Sequence, residues 1–511
     1  MLTHIHGAKC IGIDAVDVTV EVDIDKGIGI HLVGLADIAV KESLLRTITA
    51  LESVGYRIPG KKIVINLAPA DLRKNGSGYD LPIAIGIIAA SGQENLPALG
   101  QFIIMGELGL DGSVRAVNGA LPIAELAQKK GLTGVILPAV SAGEAAEFTQ
   151  IGVYGVSSLP EVIEVLKQEH NCSHLLVHSD LEDRSKDDED EFVDFADIIG
   201  QECAKRGMEI AAGGGHNIAM IGAPGSGKTS IAKALAGILP PMSLKESMTT
   251  SKIYSVAGKG SHRAGLIRRR PFRAPHYSAS LAAIIGGGNG DNILPGEVSL
   301  ADGGVLFLDE FAQMPRSVIE ALRCPIEDRK VTISRLKSKV EFPASFMLVA
   351  ASNPCPCGYY GEGDKCTCTP SQRLNYLGKL SGPIMDRIDL QVWMHQVPSD
   401  QIIGARKGES SEVIAQRVAT AREIQAKRFK DEKISTNAEM NGRQIKQYAP
   451  LGYASQQALE RIMSREQLSM RAYYRIIKTA RTIADLAALP DILPEHIIEA
   501  ASFRLLDKQG I

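Results

Sequence analysis

Gly222-Ala223-Pro224-Gly225-Ser226-Gly227-Lys228-Thr229 follows the apolar run Ile218-Ala219-Met220-Ile221 and leads into Ser230-Ile231-Ala232-Lys233-Ala234-Leu235-Ala236. The first flank predicts a buried strand and the second a helix, so the glycines fall at a strand-to-helix turn. Glycines there let successive backbone N–H groups curl around an anion, and the positive end of the new helix adds to the attraction. The segment Gly222 to Ser230 therefore suits the phosphates of a nucleoside triphosphate. Lys228 would reach the β- and γ-phosphates, and the Thr229 hydroxyl would ligate Mg²⁺.

Downstream, Gly304-Val305-Leu306-Phe307-Leu308-Asp309-Glu310 reads as a buried strand ending in two acids. Asp309 would hold Mg²⁺ through water, and Glu310 would polarise the attacking water. A further apolar strand, Phe346-Met347-Leu348-Val349-Ala350-Ala351, ends at Ser352-Asn353. Asn353 suits either contact with the γ-phosphate or lytic water, or a turn before Pro354. In Gly382-Pro383-Ile384-Met385-Asp386-Arg387-Ile388-Asp389, Arg387 suits an arginine finger donated to a neighbouring subunit. The plain alternative is an ion pair with Asp386 or Asp389.

Together these elements resemble the AAA+ ATPases, in the helix-2-insert branch that includes magnesium chelatase and the minichromosome-maintenance helicases. By that resemblance Asn353 is sensor 1, Arg387 the finger, and Arg471, in Leu468-Ser469-Met470-Arg471, the sensor 2 arginine opening a lid helix. Phe195-Ala196-Asp197-Ile198-Ile199-Gly200-Gln201 resembles the segment that wraps the adenine. Arg270-Pro271-Phe272-Arg273-Ala274-Pro275-His276-Tyr277, Ile285-Gly286-Gly287-Gly288 and Pro295-Gly296-Glu297-Val298-Ser299-Leu300-Ala301 are similar to the magnesium-chelatase type of core. The whole chain resembles the YifB/ComM group of bacterial competence-related proteins. That resemblance implies a homo-hexameric ring with ATP and Mg²⁺ at its subunit interfaces. It also implies a DNA helicase that promotes branch migration during natural transformation. Single- or double-stranded DNA, including branched DNA, and recombination proteins are then the expected partners.

The chain has 511 residues, 45% of them hydrophobic, which suits two to four domains with sizeable cores. Its formal net charge is −3, so contact with DNA must come from local arrangement, such as a ring pore. The single Trp, Trp393, argues against an extended base-stacking surface. No basic segment followed by a signal-like apolar stretch opens the sequence, and the uncharged run Leu81 to Ser91 is too short to span a bilayer. The expectation is a soluble cytoplasmic protein without a membrane partner.

The fold class expected is multidomain α/β. Residues 1–170 form an α+β front domain, 171–193 an acidic linker, 194–395 the α/β P-loop core, and 396–511 a helical lid. In the front domain, Val18 to Ile24 and Lys62 to Leu67 read as strands, and Asp37 to Leu51 as a helix. Asp180 to Glu191 has little to bury and reads as an exposed linker. Ser411 to Lys430 and Arg471 to Leu489 read as helices of the lid. The front domain resembles Lon-type proteases, through Gly106-Glu107-Leu108, Val114 to Gly119 and Gly134 to Pro138. Leu121 stands where that protease carries its Lys, and Ser77 is displaced with no evident base, so the domain is expected to be non-proteolytic.

Cys355, Cys357, Cys366 and Cys368 form two C-x-C pairs in an insertion at 354–370. Four thiolates can surround one tetrahedral ion, and structural Zn²⁺ is the leading occupant in a reducing compartment. Free or redox-active thiols, or an iron–sulfur cluster, are the alternatives. Arg335, Lys337 and Lys339 lie between Val331-Thr332-Ile333 and Val340-Glu341-Phe342, which predict a β-hairpin. Cations at its tip suit DNA phosphates without sequence readout, or simply a solvated turn. The rival functions are a chelatase-like ATPase remodelling a protein partner, an ATP-dependent protease, and a nucleotide-switched assembly platform.

Overall fold

The computed structural model describes residues 2–504, apart from 36, 147–149, 169–171, 179–192, 261–264, 289–292, 335–338, 381 and 399–406. The acidic run Asp180 to Glu191 lies outside the described residues, as do Arg335 and Lys337, expected from the sequence at a hairpin tip.

The front of the chain builds a mixed seven-stranded sheet. Its strands stand in the order Gly29–Val33, Lys62–Ala68, Asp14–Asp25, Thr3–Ile11, Phe102–Ile104, Gly134–Pro138 and Gly152–Val156. Thr3–Ile11 runs antiparallel to Asp14–Asp25 and parallel to Phe102–Ile104. Asp37 caps the helix Ile38–Ser53 by accepting from the Val40 N–H, as its short carboxylate favours at an N-cap. The apolar run from Leu81 proves to be the helix Asp80–Ser91, buried on nearly every side, including Leu81, Ile83, Ile85 and Ile87. Such a helix is apolar all round because it is enclosed by protein.

A second sheet carries five parallel strands in the order Phe272–Arg273, Val305–Leu308, Met347–Ser352, Ile218–Gly222 and Leu390–Met394. Ile218 and Met220 enter one apolar cluster, while Ala219 and Ile221 enter another. This alternation follows from the two-residue repeat of a strand, and explains why a strand covered on both faces reads as one unbroken apolar run.

The C-terminal helices close one of those faces. Ile476, Ile477, Ala480 and Ile483 of the helix Met470–Leu486, with Ile497 and Phe503, share the cluster of Ile218 and Met220. The helix Ser411–Arg428 adds Ile414 and Val418 to it. A buried polar knot pins these helices to the sheet. His216 Nδ1 lies 3.2 Å from Asp389 Oδ2, and its Nε2 lies 2.8 Å from Thr482 Oγ1. Arg475 also pairs with Asp389. Burial works against charge on Asp389, yet Arg475 and His216 hold it well below the usual carboxylate range.

The two sheets meet through the helix Leu244–Val256 of the core. Lys252 Nζ lies 2.5 Å from Glu125 Oε2, and Ser255 O accepts from the Gly119 N–H at 3.0 Å. Leu121 is buried, and its backbone N–H donates to Ser255 Oγ at 3.3 Å.

Candidate functional site

In a parallel sheet the loops at the carboxyl ends of adjacent strands share one edge, and ligands bind there. Ile218–Gly222 lies between Met347–Ser352 and Leu390–Met394, and Val305–Leu308 follows beyond Met347–Ser352. The phosphate loop, the Asp309-Glu310 pair and Asn353 all leave the sheet at that edge. Gly227 has φ 89, a left-handed conformation that glycine adopts without a Cβ clash, and the helix Lys228–Ile238 starts immediately after it.

The side chains then converge. Lys228 Nζ donates to Gly222 O at 2.6 Å and Ala223 O at 2.9 Å, and lies 3.3 Å from Asn353 Oδ1. Burial lowers the Lys228 ammonium from its ordinary value, opposed by Asp309 and Glu310. Thr229 Oγ1 donates to Asp309 Oδ2 at 3.4 Å. A hydroxyl and a carboxylate side by side are hard oxygen donors, which fits the outer coordination of Mg²⁺. Ser226 Oγ, buried and without a partner among the described residues, fits a loop that holds an anion. Glu310 has φ 49, a left-handed backbone in a residue with a Cβ, and its N–H donates to Asp309 Oδ1 at 2.9 Å. Backbone strain of this kind is found where a side chain is aimed for function.

Two glutamines brace the loop from outside. Gln201 Nε2 donates to Ser226 O at 3.1 Å and to His395 O at 2.5 Å. Gln396 Nε2 donates to Pro224 O at 2.9 Å. Gln201 falls in the segment that sequence reading placed near the adenine. Gln396 carries no signal in the sequence and was missed.

Neither arginine lies among these groups in the chain's own hydrogen bonds. Arg387 is buried, and its guanidinium donates to Arg323 O at 3.2 Å and Pro383 O at 2.6 Å and pairs with Glu327 at 2.7 Å. It therefore makes neither of the ion pairs expected of it, because Asp386 pairs with Arg471 and Asp389 with Arg475.

The four cysteines come together. Their sulfurs all lie within 4.8 Å of one another, with Cys355–Cys366 at 3.8 Å and Cys357–Cys366 at 3.7 Å. Thiolates about 2.3 Å from a tetrahedral Zn²⁺ stand about 3.8 Å apart, so the donor set fits that ion. The Tyr359 backbone N–H pulls the Cys357 thiol down to about 6, whereas burial pushes Cys355 up to about 12.

The hairpin strands Lys330–Ser334 and Lys339–Pro343 pair antiparallel, and Lys339 is exposed. A cavity of about 850 Å³ lies between this hairpin and the front domain, lined by Lys9, Arg73, Ser77, Glu107 and Lys339 among others. None of the residues placed at the phosphate loop lines it. Ser77 Oγ donates to Glu107 Oε2, so the serine does have an acidic neighbour that sequence reading did not find.

Comparison with known proteins agrees with this geometry. Residues 194–402 match the family model "Magnesium chelatase, subunit ChlI", residues 20–141 match "Subunit ChlI of Mg-chelatase", and 408–504 match "Magnesium chelatase, subunit ChlI C-terminal". The protein YifB of Salmonella typhimurium is 40% identical over 510 residues, covering 99% of this chain and 98% of that one. The competence protein ComM of Haemophilus influenzae is 39% identical over 510 residues, with the same coverage. A more distant match, 27% identical over 177 residues, joins 35% of this chain to 18% of the DNA replication licensing factor mcm-6 of Caenorhabditis briggsae. With near-complete coverage at this identity, the chain belongs to the YifB/ComM family of magnesium-chelatase-like AAA+ ATPases.

Proposed function

We propose that this chain is the subunit of a ring-shaped, ATP-driven DNA motor. The observation that carries the reading is the meeting of Lys228, Thr229, Asp309 and Asn353 at one sheet edge, with Glu310 beside them. Lys228 and the loop N–H groups bind the phosphates, and Thr229 and Asp309 hold Mg²⁺, which neutralises the charge on the transferred phosphoryl group. Glu310 takes the proton of the attacking water, and Asn353 orients that water. Arg387 serves the ATP of a neighbouring subunit, Arg471 acts as the sensor 2 arginine of the lid helix, and the ring has six members.

Action on DNA draws on the relatives, whose names speak of competence and DNA replication licensing. In this chain the hairpin around Arg335, Lys337 and Lys339 faces the pore and grips phosphates. The front domain, a Lon-like fold without proteolytic chemistry, forms a second tier, and residues 396–511 act as the lid. The family matches to a magnesium chelatase subunit favour a second reading, an ATPase that remodels a protein partner. The distant match to a DNA replication licensing factor weighs toward the motor. A labelled Holliday junction incubated with protein and ATP decides between the two. ATP-dependent dissociation of the junction into separate duplexes, with every strand intact, supports the motor, and an inert junction favours remodelling.

A further inference from the structure

The cysteine insertion does not stand apart from the nucleotide site but is wedged against it. Cys355 follows Asn353 by one proline, and the chain then turns back through Gly358. Gly358 has φ 87, and a Cβ there would stand 2.9 Å from the Pro224 ring of the phosphate loop. Only glycine allows the two segments to lie this close.

Gln396 makes the contact polar as well as steric. Its Nε2 donates to Pro224 O at 2.9 Å, its Oε1 accepts from Lys365 Nζ at 3.2 Å, and its backbone N–H donates to Glu362 Oε1 at 3.1 Å. Lys365 and Glu362 both belong to the stretch between the two cysteine pairs. One glutamine thus joins the insertion to the loop that would hold the β-phosphate.

The geometry points to a metal-dependent clamp: Zn²⁺ held by Cys355, Cys357, Cys366 and Cys368 fixes residues 354–368 against Pro224, and Gln396 transmits that order to the phosphate loop. This rests on the phosphate-loop reading above and adds a control to it. Ordering a loop before its ligand arrives removes part of the entropic cost of binding, so metal loading raises nucleotide affinity. Gln396 is a positioning residue, since it touches the loop carbonyl and not the nucleotide.

Trp393 supplies a reporter. It is the one tryptophan of the chain, it pairs in register with Ile221 of the phosphate-loop strand, and its ring lies 6.2 Å from that of Tyr360 in the insertion. The test uses the full-length protein, zinc alone as the metal probe, and ADP as the nucleotide. ADP is titrated calorimetrically into zinc-loaded protein, into protein stripped by a chelator, and into stripped protein given zinc again. Stripping should weaken ADP binding roughly three- to tenfold, the range of one lost hydrogen bond. One equivalent of zinc should restore it and shift Trp393 emission with the same stoichiometry. Gln396→Glu, the same size but unable to donate to Pro224 O, should keep its zinc and still bind ADP with the stripped protein's affinity. Equal ADP affinity with and without zinc, while Trp393 emission follows the metal, overturns the clamp. So does parental affinity in Gln396→Glu, which decides the matter if stripping unfolds the chain, and so does protein that takes up no zinc. Zinc-loaded parent that binds no ADP is a different result, because there the phosphate-loop reading itself fails.

Discussion

Arg471 Nη1 lies 2.6 Å from Asp386 Oδ2, so the arginine at the start of the helix Met470–Leu486 sits beside the residue that precedes Arg387. The two arginines proposed to serve ATP hydrolysis thus share one region of the subunit while differing in freedom. Arg471 is exposed, and an exposed ion pair is easily exchanged for a phosphate. Arg387 is drawn inward by Glu327 and by two backbone carbonyls. Its use as a finger would require those bonds to be traded for phosphate contacts when subunits assemble.

Arg387 should act across a subunit boundary. Neither Arg387→Ala nor Lys228→Ala protein should hydrolyse ATP appreciably alone. Mixed rings should recover part of the rate, since some interfaces then join an intact phosphate loop to an intact finger. Steady-state hydrolysis against mixing ratio checks this, with subunit exchange confirmed by light scattering or labelled subunits. A flat line through exchanged rings contradicts an interface role.

Replacing Lys337 and Lys339 together by Ala should weaken DNA binding to a similar extent for unrelated sequences. The slope of log affinity against log salt should fall by roughly one per lysine removed. ADP affinity should not change, because Lys339 is not among the groups around Lys228. Fluorescence anisotropy over a salt series reads all three. An unchanged slope would remove the hairpin as the grip.

The cysteine cluster should carry about one zinc per chain in protein purified without added metal. Elemental analysis settles this directly, and iron in place of zinc, or no metal, contradicts the assignment. Cys366→Ser should lower the zinc content and disturb Trp393 emission together.

Asp302 offers a pH test of the core. It is 5% exposed, its Oδ1 accepts the Ser345 N–H at 2.7 Å, and burial pushes its carboxyl up to about 6. Its folded value is raised, so the native state favours the protonated form. The penalty is complete above about pH 6 and fades as pH falls toward the unfolded value near 4. Asp302→Asn, which still accepts from Ser345, should therefore stabilise the protein by up to roughly 3 kcal/mol at pH 7.5. The gain should shrink by pH 5. Denaturation midpoints of both proteins at the two pH values test it, and an equal gain at both contradicts it.

Much of the convergence of Lys228, Thr229, Asp309 and Asn353 was legible because each part is local. The turn at Gly222 to Thr229 is marked by its glycines and by the change from an apolar run to helical spacing. Asp309 and Asn353 are marked by their place at the ends of apolar strands, and a parallel sheet brings such ends together. The helix at Ile38–Ser53 followed from apolar spacing, and those at Ser411–Arg428 and Met470–Leu486 from start and stop signals, within a few residues at their ends. What stayed hidden are contacts made only by topology. Gln396 reaches Pro224 across 172 residues, and an isolated glutamine after a strand resembles any other. Likewise Glu327 as the partner of Arg387, and Ser255 as the neighbour of Leu121, depend on how distant elements pack. The acidic neighbour of Ser77 was missed because Glu107 lies 30 residues away on another element.

The proposed motor stands or falls on whether ATP turnover at the Lys228 site is coupled to DNA. ATP hydrolysis by the full-length protein, measured with no DNA and with single-stranded, duplex and branched DNA, tests it most directly, with Glu310→Gln run beside it. At least one DNA form should accelerate hydrolysis several-fold. Glu310→Gln should lose nearly all turnover with ATP still bound. Hydrolysis indifferent to every DNA form would contradict the motor, and parental turnover in Glu310→Gln would contradict the catalytic site itself.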